Sequence, residues 1–532
     1  MNFTKSSFLF VPLFAGVFAP LAACQSSLQK GLDTIRAEEA MVHVKYLASK
    51  ELAGRDTGDP GCEKAAEYLV QQFEKLGLEP FGDVKDGKRT FLQHYPLAVG
   101  QMDPSSGVTI ISADGKMQQL ALGTGFRGMV RTPPPDITTE TPIVDAGVFV
   151  LKADEPVATQ PGARGRQGRR TAKIKLPESV KDSFVIIQIS DFGGLNVGDV
   201  HSSVATALRE AGAAGAFITN MDAADYDEKF NRSMNWAASK SMTPGKPDPR
   251  SSQIPRSNNP PIFILPSATS AKSLAGSKVK FKIQGETREY YATNVVGILR
   301  GSDATLREEY IIHSAHYDHV GMQGGTIHPG ADDNASGTSC ILETAQAYKS
   351  VDAPKRSIVF LLVSGEEKGL WGSDFFVKNP PVPLQSMIAN INTDMVGRSL
   401  INGAQKPEYM MMTPSTKNKD FNTLAARSLE ISEMYGFPNM ANGDIYWQRS
   451  DHYNFAKHKI PTMFLCNGEH EDYHRPGDTW DKIDGGKIER SAKLSFHLGY
   501  ETAMAAEKPK LLGAQKPEPA KTEKNPDEKE SK

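Results

Sequence analysis

At 532 residues the chain exceeds what one hydrophobic core usually fills, since cores saturate near about 250 to 300 residues, so two or three domains are expected. Its 61 Lys+Arg against 63 Asp+Glu leave no net field that would draw it to nucleic acid or to an acidic surface. A partner must be recognised at a local site.

Residues 1 to 24 read as an export signal, with Lys5, an apolar stretch from Phe8 to Ala19, and "LAAC" ending at Cys24. Those last four residues resemble the lipobox of bacterial lipoproteins. The resemblance implies cleavage before a lipidated Cys24, which ties the protein to the bacterial cell envelope without spanning a bilayer. Gln25 is not the Asp that favours inner-membrane retention, so the expected location is the periplasmic face of the outer membrane. No other stretch approaches the ~18 apolar residues of a spanning helix. Beyond Cys24, the cysteines Cys62, Cys340 and Cys466 are odd in number and widely spaced, which argues against a disulfide framework.

Residues 25 to 135 are expected to begin a host domain. Within them 36 to 80 look helical, with Ala65, Leu69, Phe73 and Leu76 on one face before Gly77, and short strands and turns follow from 90. The character changes over 136 to 285, where strand-like "VFVLKA" and "SFVIIQIS", a helix near 200 to 212, "AGAAGAFITN" and "PPIFILPSATS" resemble a protease-associated domain set into another fold. The basic loop from Arg164 to Lys175 reads as a solvated surface loop, because no aromatic residues interleave to stack bases.

From 286 to 506 strands alternate with helices. The run is "YATNVVGIL", "EYIIHSAHYDH", a helix 335 to 350, "SIVFLLVSGEE", "MIANINTDMVG", a helix 416 to 435, "PTMFLCNG" and a closing helix from 484. This rhythm predicts an α/β fold with a mostly parallel sheet sandwiched by helices. The tail from 507 to 532 is Lys, Glu and Pro, and is expected to be disordered.

In such sheets reactive groups collect beyond the carboxyl ends of the strands. His316 and Asp318 end one predicted strand, Glu366 and Glu367 the next, Asp394 another, while "GADDNASG" and the loop bearing His474 fall at the same rim. Carboxylates gathered in a poorly solvated place repel each other and resist ionisation, so their convergence calls for a cation. Imidazole with carboxylate and no thiolate suits zinc or another first-row metal. A carboxylate shared by two ions would turn the repulsion of the adjacent Asp332 and Asp333 into attraction, with either one as the bridge. Asp318, two residues along the strand from His316, is placed to accept its ring N–H. Glu366 and Glu367 should diverge, one to metal and one to proton transfer.

Helix capping by "DDNAS" and a helix dipole behind Glu366 and Glu367 would explain each segment alone, but not five segments at one rim. A second zinc pattern, "HEDYH" from His470 to His474, needs a helix that Pro476 opposes, so His470 reads as a loop residue.

In order, "AHYDHVG", "GADDNASG", "SGEEKGLWGS", "NTDMVGR" and "YHRPGDTWDKID" resemble the two-zinc exopeptidases that include aminopeptidase Y and glutamate carboxypeptidase II. The likeness is strong over 291 to 505 and extends weakly to about 40 through "LASKELAGRDTGDPG". It implies two Zn2+ ions, one held by His316, Asp333 and Asp394, the other by Asp333, Glu367 and His474. It also implies Glu366 as general base and Tyr473 as a stabiliser of the oxyanion. The implied activity is that of a metallo-aminopeptidase acting on peptides with a free N-terminus. A carboxypeptidase or dipeptidase of the same fold, a one-zinc glutaminyl cyclase and a non-catalytic peptide-binding protein are the competing readings.

Overall fold

The computed structural model describes residues 18–102, 107–120, 126–128, 136–152, 171–195, 197–220, 240–247, 259–265, 273–282, 285–323, 325–401 and 403–515. They form two compact units. One gathers the chain up to Gln93, Thr293–Val320 and everything from His328; the other is His94–Ala292 with Gly321–Ile327.

The first unit is built on parallel strands in the order Ser357–Val363, Tyr310–His316, Met387–Thr393 and Thr462–Cys466. Val295–Leu299 pairs antiparallel on one side of them and Met411–Thr413 on the other. Every residue of the four parallel strands is buried, which is why they read as apolar runs rather than alternating ones. The polar residues inside them satisfy one another: Ser314 Oγ donates to Asn392 Oδ1 at 2.7 Å and Asn390 Nδ2 to Ser314 Oγ at 2.9 Å. Helices Gly337–Ser350 and Gly485–Met504 pack on each other and on this sheet. Gly499 makes the approach possible, since a Cβ there would lie 2.4 Å from His313 Nε2.

Several boundaries differ from expectation. The helical stretch 36 to 80 is two helices, Ala37–Leu47 and Pro60–Lys75, broken where Ala53, Gly54, Arg55 and Gly58 adopt positive φ. The helix expected from 416 starts at Thr423, because Asn422 caps it by accepting from Ala425 N and the preceding residues are held by Asp444 instead. Of the tail expected to be disordered from 507, residues 516–532 lie outside the described residues. Residues 508 to 515 lie along the first unit, with Thr423 N donating to Lys510 O at 2.9 Å and Leu512 N to Phe421 O at 2.7 Å.

The second unit has its own sheet, ordered Met117–Leu120, Gly107–Ile111, Lys278–Lys282, Ile137–Val150, Phe184–Asp191, Gly215–Asn220, Ile262–Ile264, Arg127–Gly128. Helix Val197–Ala211 buries Val200, Val204 and Leu208, one residue per turn. The second unit, His94–Ala292 with Gly321–Ile327, is wider than the 136 to 285 expected of the insert. Gly107–Ile111 pairs with Lys278–Lys282 far down the chain, a partnership that no local pattern announces.

Residues 1–17 of the expected export signal and 164–170 of the basic loop lie outside the described residues. Helix Phe18–Leu32 runs through Cys24. Among the described residues no helix is long and apolar enough to cross a membrane. Cys62, Cys340 and Cys466 are free and buried.

Candidate metal centre

The carboxyl ends of the four parallel strands bring the named side chains to one rim. His316 is the last residue of its strand, Asp394 follows Thr393 directly, and Glu366 and Glu367 lie just past Val363. The loop after Cys466 returns with His474, whose φ of 54° is the left-handed conformation that turns its ring inward. Asp333 comes from the turn Ala331–Ser336 ahead of helix Gly337–Ser350. That turn is stapled from elsewhere: Arg55, fully buried, donates to Tyr317 O at 2.7 Å, Pro329 O at 2.7 Å and Gly330 O at 2.9 Å.

Two donor groups result, His316 with Asp333 and Asp394, and His319 with Asp333, Glu367 and His474. His316 Nε2 lies 3.4 Å from Asp333 Oδ1 and 3.1 Å from Asp394 Oδ1. His474 Nε2 lies 3.0 Å from Asp333 Oδ2 and 3.1 Å from Glu367 Oε2. Asp333 thus turns a different oxygen to each group. Ligands at about 2.0 to 2.2 Å around one tetrahedral ion stand roughly 3.3 Å apart, so these spacings suit ion-sized centres. His474 Nε2 makes no hydrogen bond although both oxygens are within reach, so its ring direction misses them. Nitrogen and carboxylate donors without thiolate suit a divalent first-row metal.

The electrostatics express the same crowding. Burial pushes the Glu366 carboxyl well above the usual range, and Glu367 and Asp394 add to a rise that His316 opposes. Burial also raises Glu367, but the facing His474 outweighs it and brings this carboxyl to about 2. Asp333 is held well below the ordinary value by His316 and His474 against its burial. Burial lowers His316 and His474, yet the surrounding carboxylates hold both well above a normal imidazole. Carboxylates crowded this way around imidazoles are a charge balance that divalent cations would complete.

Glu366, Asp333 and Asp394 line one cavity with Met395, Phe464 and Tyr473. The Tyr473 ring stacks on His474 with centroids 3.9 Å apart. Asp318 departs from expectation: its carbonyl, at 3.2 Å, is closer to His316 Nδ1 than its carboxylate, at 3.6 Å. The carboxylate accepts instead from Thr57 Oγ1 at 2.8 Å and Glu366 N at 3.3 Å, because the strand end turns at Asp318. Asp332 faces away from Asp333, accepting from Gly397 N at 2.7 Å and Asn467 Nδ2 at 2.9 Å. The "HEDYH" segment forms turns rather than a helix, and His470 Nε2 sits 3.3 Å from Asp332 Oδ2, apart from His474.

Sequence reasoning passed over four participants. His319 lies in the second donor group, Thr57 and Arg55 hold its supports, and Ser450 Oγ donates to Asp394 Oδ2 at 2.7 Å. The "AHYDH" run was the visible signal for His319; Ser450 and Thr57 sit in segments whose approach is purely tertiary.

Residues 294–499 match Peptidase family M28. Aminopeptidase YwaD of Bacillus subtilis is 29% identical over 230 residues, 42% of this chain and 47% of that protein. The chain spans about half the length of the curated relatives it matches. In fold it is similar to BSAP, a zinc aminopeptidase from Bacillus subtilis, with a TM-score of 0.54 at 19% identity over 88% of this chain and 96% of that one. It is likewise similar to an aminopeptidase from Aneurinibacillus sp. strain AM-1, with a TM-score of 0.51 at 19% identity over 92% and 98% of the two chains.

Proposed function

We propose that the protein is a zinc-dependent aminopeptidase that hydrolyses N-terminal residues from peptides. One observation carries the reading: Asp333 directs Oδ1 toward the His316 group and Oδ2 toward the His474 group, as a carboxylate shared by two ions would. His316, Asp333 and Asp394 would hold one zinc, and Asp333, Glu367 and His474 the other. When bound, such ions polarise the scissile carbonyl and lower the pKa of water.

The chain's own residues supply the rest. Glu366 lines the cavity with Asp333 and Asp394 and takes the proton of the attacking water, then delivers it to the leaving amine. The Tyr473 hydroxyl, in the same cavity, donates to the oxygen on which negative charge develops. Among the described residues that line that cavity Arg449 is the cation, and Glu469 pairs with it at 2.6 Å, so its charge is already matched rather than free to grip a C-terminal carboxylate. That pairing favours an aminopeptidase over a carboxypeptidase. Lipidation of Cys24 would hold the enzyme at the outer membrane.

Chelation followed by zinc addition, read on arylamides of several amino acids, tests the proposal. Activity should vanish and return as zinc reaches two equivalents. Turnover that survives metal removal would overturn it, and full recovery of hydrolysis at one equivalent would reduce the site to a single-metal peptidase.

A further inference from the structure

We propose that His319 is a fourth protein donor to the ion held by Asp333, Glu367 and His474, which makes that position the tighter of the two. The proposal rests on the metal-centre reading above, and adds to it a ligand outside the five carried by the family resemblance.

The His319 side chain is wholly buried, and neither ring nitrogen has a hydrogen-bond partner. A buried polar ring left that way is unfavourable, so something else should satisfy it. Its Nδ1 lies 2.9 Å from Glu367 Oε1 and 3.7 Å from Asp333 Oδ2. At 2.9 Å a hydrogen bond to Glu367 would be expected, yet both Nδ1 and Oε1 remain unpaired, so the two atoms are not aimed at each other. His474 shows the same relation to the same carboxylates, and the two rings meet edge to face with centroids 5.5 Å apart. The buried His313 offers the contrast: its two nitrogens face Ser495 Oγ at 3.0 Å and Tyr348 Oη at 3.3 Å, as a purely structural histidine requires.

The backbone holds His319 in place. Its N–H donates to Arg55 O at 3.1 Å, and Asp56 bridges to it in parallel. On the other side a Cβ at residue 330 would lie 2.5 Å from the His319 Cγ, so Gly330, at φ 61°, is the residue that lets the ring sit there. The consequence is an asymmetry between the two positions. Four protein donors close a zinc site, whereas three leave a place for water or substrate. The His316, Asp333 and Asp394 group is then the open one.

The test uses the full chain, freed of metal by chelation and titrated with zinc and with Co(II). In His319→Gln the zinc dissociation constant of the tighter step should rise by about 10- to 100-fold and the Co(II) visible band of the first equivalent should change. The weaker step should stay near its wild-type value. A His319→Gln protein that melts normally without metal and binds the first equivalent with unchanged affinity and spectrum overturns the proposal. Should that variant fail to fold, X-ray absorption of the wild-type protein with one equivalent of zinc decides. Two imidazoles per zinc support the assignment and one overturns it. A wild-type protein that never binds a second equivalent would remove the two-ion reading alone, because the imidazole count still settles His319.

Discussion

The two units use nearly the same strands for different ends. "SIVFLLV" in the first unit and "FVIIQI" in the second are both buried along their length and both pair in parallel. The insert's core closes over aromatic rings, with Phe263 and Phe281 at 4.5 Å and Phe184 and Phe217 at 4.6 Å. Asp199 is the one carboxylate buried there among the described residues. The first unit buries Asp318, Asp332, Asp333, Glu343, Asp394, Asp420, Asp451 and Asp478. Chemistry is therefore not a property of the sheet but of what its strand ends carry, and the two regions should answer mutation in different currencies.

The sharpest separation should come from Glu366→Gln. Losing the proton acceptor should lower kcat by up to about 10⁴-fold, ~5 kcal/mol of barrier, with zinc stoichiometry and melting temperature preserved. Steady-state kinetics beside elemental analysis checks this, and undiminished turnover would take Glu366 out of the mechanism. Phe263→Ala should do the reverse. Removing a buried ring among Phe126, Phe184, Phe217 and Phe281 should lower the insert's stability by about 3 to 5 kcal/mol in denaturant unfolding while zinc binding stays at wild type. If that variant loses zinc instead, the division of labour between the units is wrong.

A smaller effect tests whether buried charge is a burden away from the metal centre. Burial raises the Glu343 carboxyl from 4.5 to about 7, with Glu39 and Glu489 adding to the rise and the Arg36 backbone N–H at 3.0 Å and its charge opposing it. The folded protein holds this proton more tightly than the unfolded chain. The associated stability is thus complete below 4.5 and lost as pH rises through 7, up to about 3 kcal/mol. Glu343→Gln should flatten that part of the melting-temperature profile and raise the melting temperature near about pH 8. An unchanged profile would show that Glu343 stays solvated.

Much of the α/β rhythm was legible because buried parallel strands announce themselves as apolar runs and helices by their period. His316, Glu366, Glu367 and Asp394 could be placed at one rim by position alone, since each follows such a run. The choice of Asp333 over Asp332 was not open to spacing, because adjacent residues diverge only once the turn Ala331–Ser336 is folded. Asp318 lay two residues from His316, but the strand bends there and sends its carboxylate to Thr57. The insert's limits were missed for a related reason: strand partners are fixed by hydrogen bonds between distant segments.

Sequence by itself determined where the strands end and which of them end in groups able to bind metal, because burial and strand direction leave periodic traces over a few residues. Only the tertiary structure decided which oxygens face which nitrogens. It also decided that His319, Arg55 and Thr57 share the centre, because convergence at a few ångströms is set by packing among segments that no local pattern links.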